Sequence, residues 1–547
     1  MPITDLLERN ARIYPDDVAL VEINPAHQPS KNTTWREFSL IETARTSNRY
    51  RRQMTWKEFD IKANRFANLL MTREVKRGDK VAILLMNCLE WLPIYFGILK
   101  TGAIVVPMNF RYASDEILYC AELADVRMLV FGPEFLDRVN AVKPKLNDID
   151  AYYYVGTEEE TPDYALNYDY VTRFCSTQAP PVALSDDDLA AIYFSSGTTG
   201  FPKAILHAHR ALVASAMTEQ HHHLQQKNDV FLCIPPLYHT GAKMHWFGSL
   251  ISGSKAVLLR GVSPEWVLQT ASDEGATIVW LLVPWAQDIL DAIDSGKVVL
   301  KDYDLSKWRL MHIGAQPVPQ SLIKRWKQVF PNHEYDTNYG LSESTGPGCV
   351  HLGIENIDHV GAIGKAGYLW ETKIVDENGQ IVRRGEVGEL AVKGPGVMLE
   401  YYKDPRATEA TVIGEWLMTG DMAMEDEEGF IYLVDRKKDV IISGGENLYP
   451  VQIEDFLRSN QKIRDAAVIG LPDPRLGEIA AAIVELRDGE TMTEDELNEF
   501  CKALPRYKRP RKIIFADVPR NATGKIEKPK LREIYGADKL VAAQFNS

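Results

Sequence analysis

A loop between residues 195 and 203 combines the side chains that hold phosphate groups. It follows residues 189–194, an apolar run typical of a buried strand, and precedes residues 208–226, where Ala, Leu, Met and Gln favour a helix. Glycines let a backbone approach a phosphate closely, while hydroxyls, amides and a lysine bind its oxygens. The spacing differs from that of a Walker A loop, and by itself it would equally suit a polar strand-to-helix connection. The candidate residues are Ser195, Ser196, Gly197, Thr198, Thr199, Gly200 and Lys203.

Four further stretches in the second half of the chain carry reactive or charged side chains. Residues 336–344 read Asp-Thr-Asn-Tyr-Gly-Leu-Ser-Glu-Ser, and residues 419–421 read Thr-Gly-Asp. Residues 435–439, Asp-Arg-Lys-Lys-Asp, lead into Ser-Gly-Gly-Glu-Asn at 443–447. The last stretch, residues 520–526, reads Arg-Asn-Ala-Thr-Gly-Lys-Ile. Each stretch alone would suit an ordinary turn, cap or solvated loop, but together they form a highly specific set.

In order and spacing, these stretches resemble the motifs of AMP-forming acyl-CoA synthetases. These enzymes belong to the adenylate-forming superfamily, which includes firefly luciferase and nonribosomal-peptide adenylation domains. The resemblance covers about residues 10 to 535. It implies an enzyme that uses ATP and Mg²⁺ to convert a small carboxylic acid into an acyl-adenylate, then coenzyme A to form a thioester. The physiological direction stays open, and so do two alternatives: an enzyme that loads the phosphopantetheine of a carrier protein, and a catalytically silent binding protein.

The resemblance assigns a role to each stretch. Attack on the α-phosphate, with diphosphate leaving, requires charge neutralisation on both sides of the phosphorus. The loop at 195–203 is then the diphosphate cradle, Glu343 is the Mg²⁺ ligand, and Ser342 contacts phosphate beside it. Lys525 bridges the substrate carboxylate and the α-phosphate, and Lys438 is the hinge of a rotating C-terminal domain. The other implied contacts are Gly314, Ala315 and Tyr339 at the adenine, Asp421 at the ribose, Arg436 at the ribose or a phosphate, and Ser443, Gly444, Gly445 and Glu446 along the CoA pantetheine.

The acid-binding pocket is predicted from the same resemblance. Its floor is Gly340, where acetate-specific relatives carry a tryptophan, so the glycine leaves room for more than two carbons. His239 stands at the gate position. Apolar and aromatic walls favour a compact cyclic acid, such as benzoate or cyclohexanecarboxylate, or a short-to-medium-chain aliphatic acid. In the alternative interpretation, the tryptophans belong to the core. The expected wall residues are Trp246, Val283, Trp285, Ile313 and Leu341.

Alternating strands and helices are predicted to position these residues. From residue 80 onward, short apolar runs alternate with helical patterns, which predicts parallel sheets covered by helices. Beyond about residue 365, a hairpin signal at Asn378-Gly379 and further short strands predict an antiparallel sheet or a small barrel-like region. A smaller α+β unit follows. The fold class is therefore α/β, with a large N-terminal domain at 1–437 and a small mobile C-terminal domain at 438–547 that carries Lys525.

Composition and charge exclude several classes of protein. A net charge of −14 over 547 residues argues against a nucleic-acid-binding surface. The longest apolar run, residues 277–286, is too short to span a bilayer, and six scattered cysteines suit free thiols in a reducing compartment. We therefore expect a cytoplasmic protein, either monomeric or homodimeric. The Thr-Trp-x-Glu-Phe pattern that leads a helix predicted over 56–72 also occurs at 34–38. The three histidines at 221–223 are interpreted as an exposed helical face rather than a metal site.

Overall fold

A computed structural model describes most of the chain. The described residues are 1–27, 50–195, 202–314, 318–346, 348–356, 358–359, 361–443, 446–520 and 526–536, and for 244, 245 and 446 the description is limited to the backbone.

The first third of the chain alternates strands and helices as predicted. The helix Trp56–Thr72 occupies the predicted range because it begins at a capping box: the Thr55 hydroxyl accepts from the Glu58 N–H, and the Glu58 carboxylate accepts from the Thr55 N–H. The repeated pattern at 34–38 lies outside the described residues. The elements are α1 Thr4–Ile13, β1 Val18–Ile23, β2 Arg51–Thr55, α2 Trp56–Thr72, β3 Lys80–Leu84, α3 Trp91–Lys100, β4 Ile104–Pro107, α4 Ser114–Leu123, β5 Val126–Phe131, α5 Leu136–Val142, β6 Ala151–Tyr154, β7 Leu166–Asn167, α6 Tyr168–Thr172 and β8 Leu189–Phe194.

The segment after the phosphate-binding loop differs in part from the prediction. Residues 204–208 form a strand antiparallel to β8, so the loop connects a hairpin. The helix predicted from residue 208 is confirmed and begins at His209. At the other end of that helix, His221 is exposed as predicted, but the prediction is wrong for His223, which is fully buried because its ring packs on His312. The elements are β9 Ala204–Ala208, α7 His209–His222, β10 Val230–Cys233, α8 Thr240–Ser252, β11 Lys255–Leu259, α9 Pro264–Glu274, β12 Ile278–Leu282, α10 Val283–Asp294, β13 Leu310–Gly314, α11 Gln320–Val329, β14 Glu334–Asp336 and β15 Asn338–Tyr339.

Short antiparallel strands dominate the region that follows. The Asn378-Gly379 turn forms, with Gly379 at φ 77°, but it leads only to a single bridge between Val375 and Ile381. The main partner of the strand before the turn is Val387–Lys393, because that strand offers buried apolar side chains whereas Ile381 is exposed. The elements are β16 Val350–His351, β17 Lys365–Ala366, β18 Glu371–Val375, β19 Val387–Lys393, β20 Glu400–Tyr401, α12 Pro405–Thr411, β21 Val412–Ile413, β22 Trp416–Glu425 and β23 Ile431–Arg436.

The last part of the described chain builds its own sheet. Its order is β25-β24-β27-β26, with β28 parallel to β27, and two apolar clusters cover it. The α+β unit predicted for this region is present, whereas the boundary between 437 and 438 stays a prediction. The elements are β24 Ile441–Ser443, β25 Glu446–Leu448, α13 Pro450–Arg458, β26 Ile463–Asp473, β27 Gly477–Leu486, α14 Glu494–Phe500, β28 Lys512–Phe515 and α15 Lys528–Tyr535.

Two large, mostly parallel sheets form the body of the described chain. One has the order β14-β13-β12-β10-β11-β1-β2, with only β2 antiparallel to its neighbour. The other has the order β20-β9-β8-β4-β3-β5-β6-β7, in which β9 is antiparallel to both of its neighbours, β20 and β8. The short strands after β14 form a sheet of order β15-β16-β17, and β18, β19, β21, β22 and β23 form an antiparallel sheet. The α/β class predicted from the sequence is confirmed.

Both faces of each large sheet are buried, as expected for parallel strands covered by helices. Along β11, Ala256 and Leu258 face the apolar core shared by the two sheets, whereas Val257 and Leu259 face a second core under α9, α10 and α11. A third core lies under α4 and α5, on the far face of the other sheet. The carboxyl ends of the strands therefore carry the loops that are available for binding.

Two further findings concern membrane-spanning helices and the state of the cysteines. Among the described helices, none combines the length and the apolar character needed to cross a bilayer. The six cysteines all lie in described segments and are free thiols.

Candidate active site

The ends of the phosphate-binding loop are held together by β8 and β9. The Ser195 N–H donates to the Lys203 carbonyl at 3.0 Å, and the Lys203 N–H donates to the Ser195 hydroxyl at 3.1 Å. The remaining predicted residues, 196–200, lie outside the described residues. The Lys203 ammonium lies over the Tyr401 ring, 4.6 Å from its centre. This cation is therefore fixed beside the loop, where it can meet a phosphate.

Tyr401 connects that lysine to the predicted metal ligand. Its hydroxyl donates to Glu343 Oε1 at 2.9 Å, and burial together with the Glu343 charge raises the Tyr401 pKa. The backbone of Glu343 is held as well, because its carbonyl accepts from the Met398 N–H at 2.7 Å. Lys203, Tyr401 and Glu343 thus form one cluster with a cation at one end and a carboxylate at the other. Sequence reasoning did not assign Tyr401, although the adjacent pair Tyr401-Tyr402 was a visible signal.

The turn that carries Ser342 and Glu343 is anchored by a buried histidine. His207 of β9 approaches the Ser342 carbonyl through Nε2 at 2.8 Å, and burial lowers the His207 pKa to about 4. Because a carbonyl can only accept, Nε2 carries the proton of this neutral imidazole. The Ser342 hydroxyl lies 3.4 Å from the hydroxyl of Thr240 at the start of α8. His207 is a positioning residue, and no sequence motif pointed to it.

The predicted nucleoside contacts converge on one carboxylate. Tyr339 donates its hydroxyl to Asp421 Oδ2 at 2.5 Å, and Arg436 Nε lies 2.6 Å from Asp421 Oδ1. The pairing of β22 with β23 sets Asp421 directly opposite Arg436. Burial, followed by the Asp421 charge, raises the pKa of Tyr339 well above its usual range. The plane of the carboxylate is therefore fixed, and each oxygen keeps a lone pair for a further donor.

Gly314 ends β13 beside the strand of Tyr339. A side chain at this glycine would begin 3.4 Å from the Asn338 side-chain oxygen, an ordinary van der Waals contact. Ala315, the other residue predicted on this side of the adenine, lies outside the described residues.

The predicted wall residues of the acid pocket divide between two cores. Val283, Trp285 and Ile313 are buried in the core under α9, α10 and α11. Trp246 is buried in the core between the sheets, where its ring contacts Phe59 and Phe96. This packing favours the alternative in which Trp246 is a core residue.

The other predicted pocket residues lie near the start of α8 and beside Tyr339. Gly340 and Leu341 are partly exposed and follow Tyr339 directly. His239 caps α8, since its Nδ1 accepts from the Gly241 N–H at 3.2 Å. The Thr240–Ser342 contact brings the gate segment to the turn that carries Glu343.

The predicted hinge follows β23 directly. Lys438 is exposed in a short turn, whereas its neighbour Asp439 is buried and pairs with Arg532 of α15 at 2.7 Å. Ser443 ends β24 and faces residue 446 across a backbone pair. The positions of Gly444, Gly445, Lys525 and the Glu446 side chain lie outside the described residues.

The stretch that contains Lys525 is anchored on both sides. Arg520 and Ile526, the described residues on either side, form an antiparallel bridge. Arg520 also pairs with Asp465 of β26 at 2.7 Å. The two flanks are thereby fixed to the C-terminal sheet.

Comparison with known proteins agrees with this geometry. The sequence profile of the AMP-binding enzyme family matches residues 7–402, and that of the AMP-binding enzyme C-terminal domain matches residues 452–525. The long-chain-fatty-acid–CoA ligase FadD13 of Mycobacterium tuberculosis (strain CDC 1551 / Oshkosh) is 31% identical over 488 residues, which are 89% of this chain and 94% of that protein.

Two solved structures show the same architecture. The anthranilate CoA ligase AuaEII in complex with anthranoyl-AMP is similar at a TM-score of 0.85 and 26% identity, covering 99% of this chain and 98% of that one. The o-succinylbenzoate CoA synthetase MenE of Bacillus subtilis, in complex with ATP and magnesium ion, has a TM-score of 0.80 and 26% identity, covering 97% of this chain and 99% of that one. The chain therefore belongs to the AMP-binding enzyme family.

Proposed function

We propose that this protein activates a compact cyclic acid, of the benzoate or cyclohexanecarboxylate type, or a short-to-medium-chain acid, and transfers it to coenzyme A. Its reaction class is that of an AMP-forming acyl-CoA ligase, which works through an acyl-adenylate. Acid and ATP give acyl-adenylate and diphosphate, and CoA then gives acyl-CoA and AMP. The identity of the acid is inferred only from the predicted pocket residues.

One observation carries the proposal. The five-residue segment from Tyr339 to Glu343 bears a nucleoside-side contact at one end and a phosphate-side contact at the other. Tyr339 donates to Asp421, and Glu343 accepts from Tyr401, whose ring lies under the Lys203 ammonium. Between these ends lie Gly340, the predicted floor of the acid pocket, and Leu341, a predicted wall residue. This five-residue segment is therefore long enough to contact both the nucleotide and the acid.

In this arrangement, a carboxylate oxygen of the acid attacks the α-phosphorus and the bond to diphosphate breaks. Lys203 and the loop offer positive charge and donors to the departing diphosphate. Lys525 is assigned the bridge between the acid and the α-phosphate, and Asp421 the two ribose hydroxyls. The CoA sulfur then attacks the acyl carbon, and the bond to AMP breaks.

Magnesium fits the donor set at Glu343. A hard cation prefers carboxylate and phosphate oxygens and keeps several waters, so one carboxylate beside a phosphate site is enough. Tyr401 holds one Glu343 oxygen, which orients the carboxylate. The ion would supply charge neutralisation at the phosphates.

The acid class is proposed from the residues beside Tyr339. Gly340 adds no side chain, and Leu341 follows it as an apolar wall. Ile313 lies on β13, next to its last residue, and Val283 and Trp285 pack in the same core as Ile313. The predicted wall residues are themselves apolar, which suits a ring or a short alkyl chain.

The two predicted domains have different roles in the proposed reaction. The large domain, 1–437, holds the nucleotide and the acid, and the small domain, 438–547, presents Lys525 for adenylation. Rotation about Lys438 then presents Ser443 and its neighbours up to Glu446 to the CoA pantetheine. A gated active site can run two half-reactions in turn.

An acid panel tests the proposal. The full-length protein is incubated with ATP, Mg²⁺ and either CoA or a phosphopantetheinylated carrier protein, and AMP and thioester are measured for each acid. We expect equal amounts of AMP and acyl-CoA, with benzoate-like, alicyclic or medium-chain acids preferred over acetate and palmitate. Thioester only on the carrier protein favours the loading enzyme. Absence of AMP and of diphosphate exchange with every acid favours a silent binding protein.

A further inference from the structure

A buried group of metal-ligand side chains lies behind the adenine side of the site. Glu219 lies on α7 and His223 directly follows that helix, His312 lies on β13, and Asp336 ends β14. All four side chains are fully buried. We call them the His–carboxylate cluster. None of them has a role in the proposed reaction, and the cluster does not include Glu343.

His223 Nε2 lies at shell-like distances from two carboxylate oxygens, whereas the two imidazole nitrogens lie at a hydrogen-bond distance from each other. His223 Nε2 lies 2.9 Å from His312 Nδ1, 3.3 Å from Asp336 Oδ2 and 3.4 Å from Glu219 Oε2. His312 Nδ1 lies 3.3 Å from Asp336 Oδ2. Ligand atoms bound at 2.0–2.1 Å to one tetrahedral ion are separated by about 3.3–3.4 Å. Because an imidazole nitrogen carries at most one hydrogen, hydrogen bonding uses only one of the three neighbours of His223 Nε2.

The second oxygen of each carboxylate is held by a donor. Glu219 Oε1 accepts from Asn338 Nδ2 at 3.1 Å, and Asp336 Oδ1 accepts from the Gly353 N–H at 3.0 Å. His351 lies 3.3 Å from Glu219 Oε1 and stacks on the ring of His222. Such outer contacts orient the ligands of protein metal sites. They point Oε2 and Oδ2 at the two imidazoles.

The two buried carboxylates also favour a bound cation. Glu219 and Asp336 bring two carboxylates into a region closed to water, which is costly unless positive charge accompanies them. A proton on the buried His351 would offset one of the two charges. A bound divalent cation would offset the remainder.

We infer that the His–carboxylate cluster binds a divalent transition-metal ion, and that the ion is Zn²⁺. The ligand atoms of Glu219, His223 and His312 lie within 4.8 Å of one another. Asp336 Oδ2 lies 3.3 Å from both imidazoles as a further oxygen donor. A mixed set of imidazole nitrogens and carboxylate oxygens suits zinc, whereas Mg²⁺ and Ca²⁺ prefer oxygen ligands alone. With every ligand buried, the site is structural. It ties α7 to β13 and β14, and β14 leads within two residues to β15, which carries Tyr339. The ion therefore stabilises the strand on which the nucleotide contact depends.

Metal content tests this inference. Full-length protein without an affinity tag is dialysed extensively, and zinc is measured by inductively coupled plasma mass spectrometry. We expect about one zinc per chain in the wild type and in His221→Gln, a control on the exposed side of α7. His223→Gln and His312→Gln should retain less than about a fifth of that amount. Glu343→Gln should keep its zinc, because that residue belongs to the separate Mg²⁺ site.

A second measurement, on wild-type protein alone, tests the inference if the histidine variants fail to fold. Wild-type protein stripped with a chelator is titrated with Zn²⁺ and with Co²⁺ while its thermal unfolding and visible spectrum are recorded. We expect a stoichiometric rise in the unfolding temperature and an intense Co²⁺ absorption of the tetrahedral type. Wild type that carries no zinc, together with stripped protein that keeps the same unfolding temperature and gives no such absorption, would show a hydrogen-bonded histidine network and overturn the inference.

Discussion

Replacing Asp421 by asparagine should weaken AMP binding by about 10- to 100-fold. The side chain is only 4% exposed, and its two oxygens are oriented by Tyr339 at 2.5 Å and by Arg436 at 2.6 Å. Hydrogen bonds to a charged group contribute about 1.5–3 kcal/mol each, roughly twice the neutral value. Asparagine keeps the shape but turns two such ribose bonds into neutral or lost ones. The expected loss is therefore about 1.4–2.8 kcal/mol, which is the stated range of affinity.

Binding of AMP and of 2′,3′-dideoxy-AMP to wild type and Asp421→Asn, measured by isothermal titration calorimetry, completes a double-mutant cycle. The dideoxy ligand lacks the hydroxyls that Asp421 is proposed to accept from, so the variant should bind it nearly as well as wild type does. Glu427→Gln, in an exposed turn near the same strand, is the control and should change neither affinity. An equal loss for both ligands would refute the ribose assignment, because the effect would then be a general disturbance of the site.

Three further substitutions test the remaining assignments. Lys525→Ala should slow adenylation by about 10²–10⁴-fold while sparing thioester formation from supplied acyl-adenylate; equal loss in both steps would contradict the two-pose model. Lys438→Pro fixes φ in the hinge, so adenylation should persist while the CoA step fails, and two near-normal half-reactions would place the hinge elsewhere. Gly340→Trp should abolish activity on ring and medium-chain acids while keeping or raising activity on acetate, and an unchanged acid profile would show that Gly340 is not the floor.

Local signals predicted much of the secondary structure. The helix Trp56–Thr72 was placed correctly because its capping box lies in adjacent residues. The alternation of strand and helix likewise predicted the parallel sheets, since each strand is buried on both faces. These features depend on neighbours in sequence, which a single chain displays directly.

Features that depend on distant contacts were not predictable in the same way. Tyr401 reaches Glu343 across 58 residues, and His207 reaches Ser342 across 135. His223 looked like part of a polar helical face, yet His312, on a strand far along the chain, buries it. The Asn378-Gly379 turn formed, but its strand found a better apolar partner in Val387–Lys393. Tertiary packing decides such cases, because it determines which side chains find a buried partner.

The path of the acid's oxygen atoms tests the proposed reaction most directly. The best acid of the panel is prepared with ¹⁸O in both carboxylate positions and turned over with ATP, Mg²⁺ and CoA, and the AMP is analysed by mass spectrometry. Attack of the carboxylate on the α-phosphorus, followed by thiol attack on the acyl carbon, leaves one labelled oxygen on AMP and one in the thioester. Label in diphosphate or orthophosphate, or unlabelled AMP beside labelled acyl-CoA, would contradict the acyl-adenylate route.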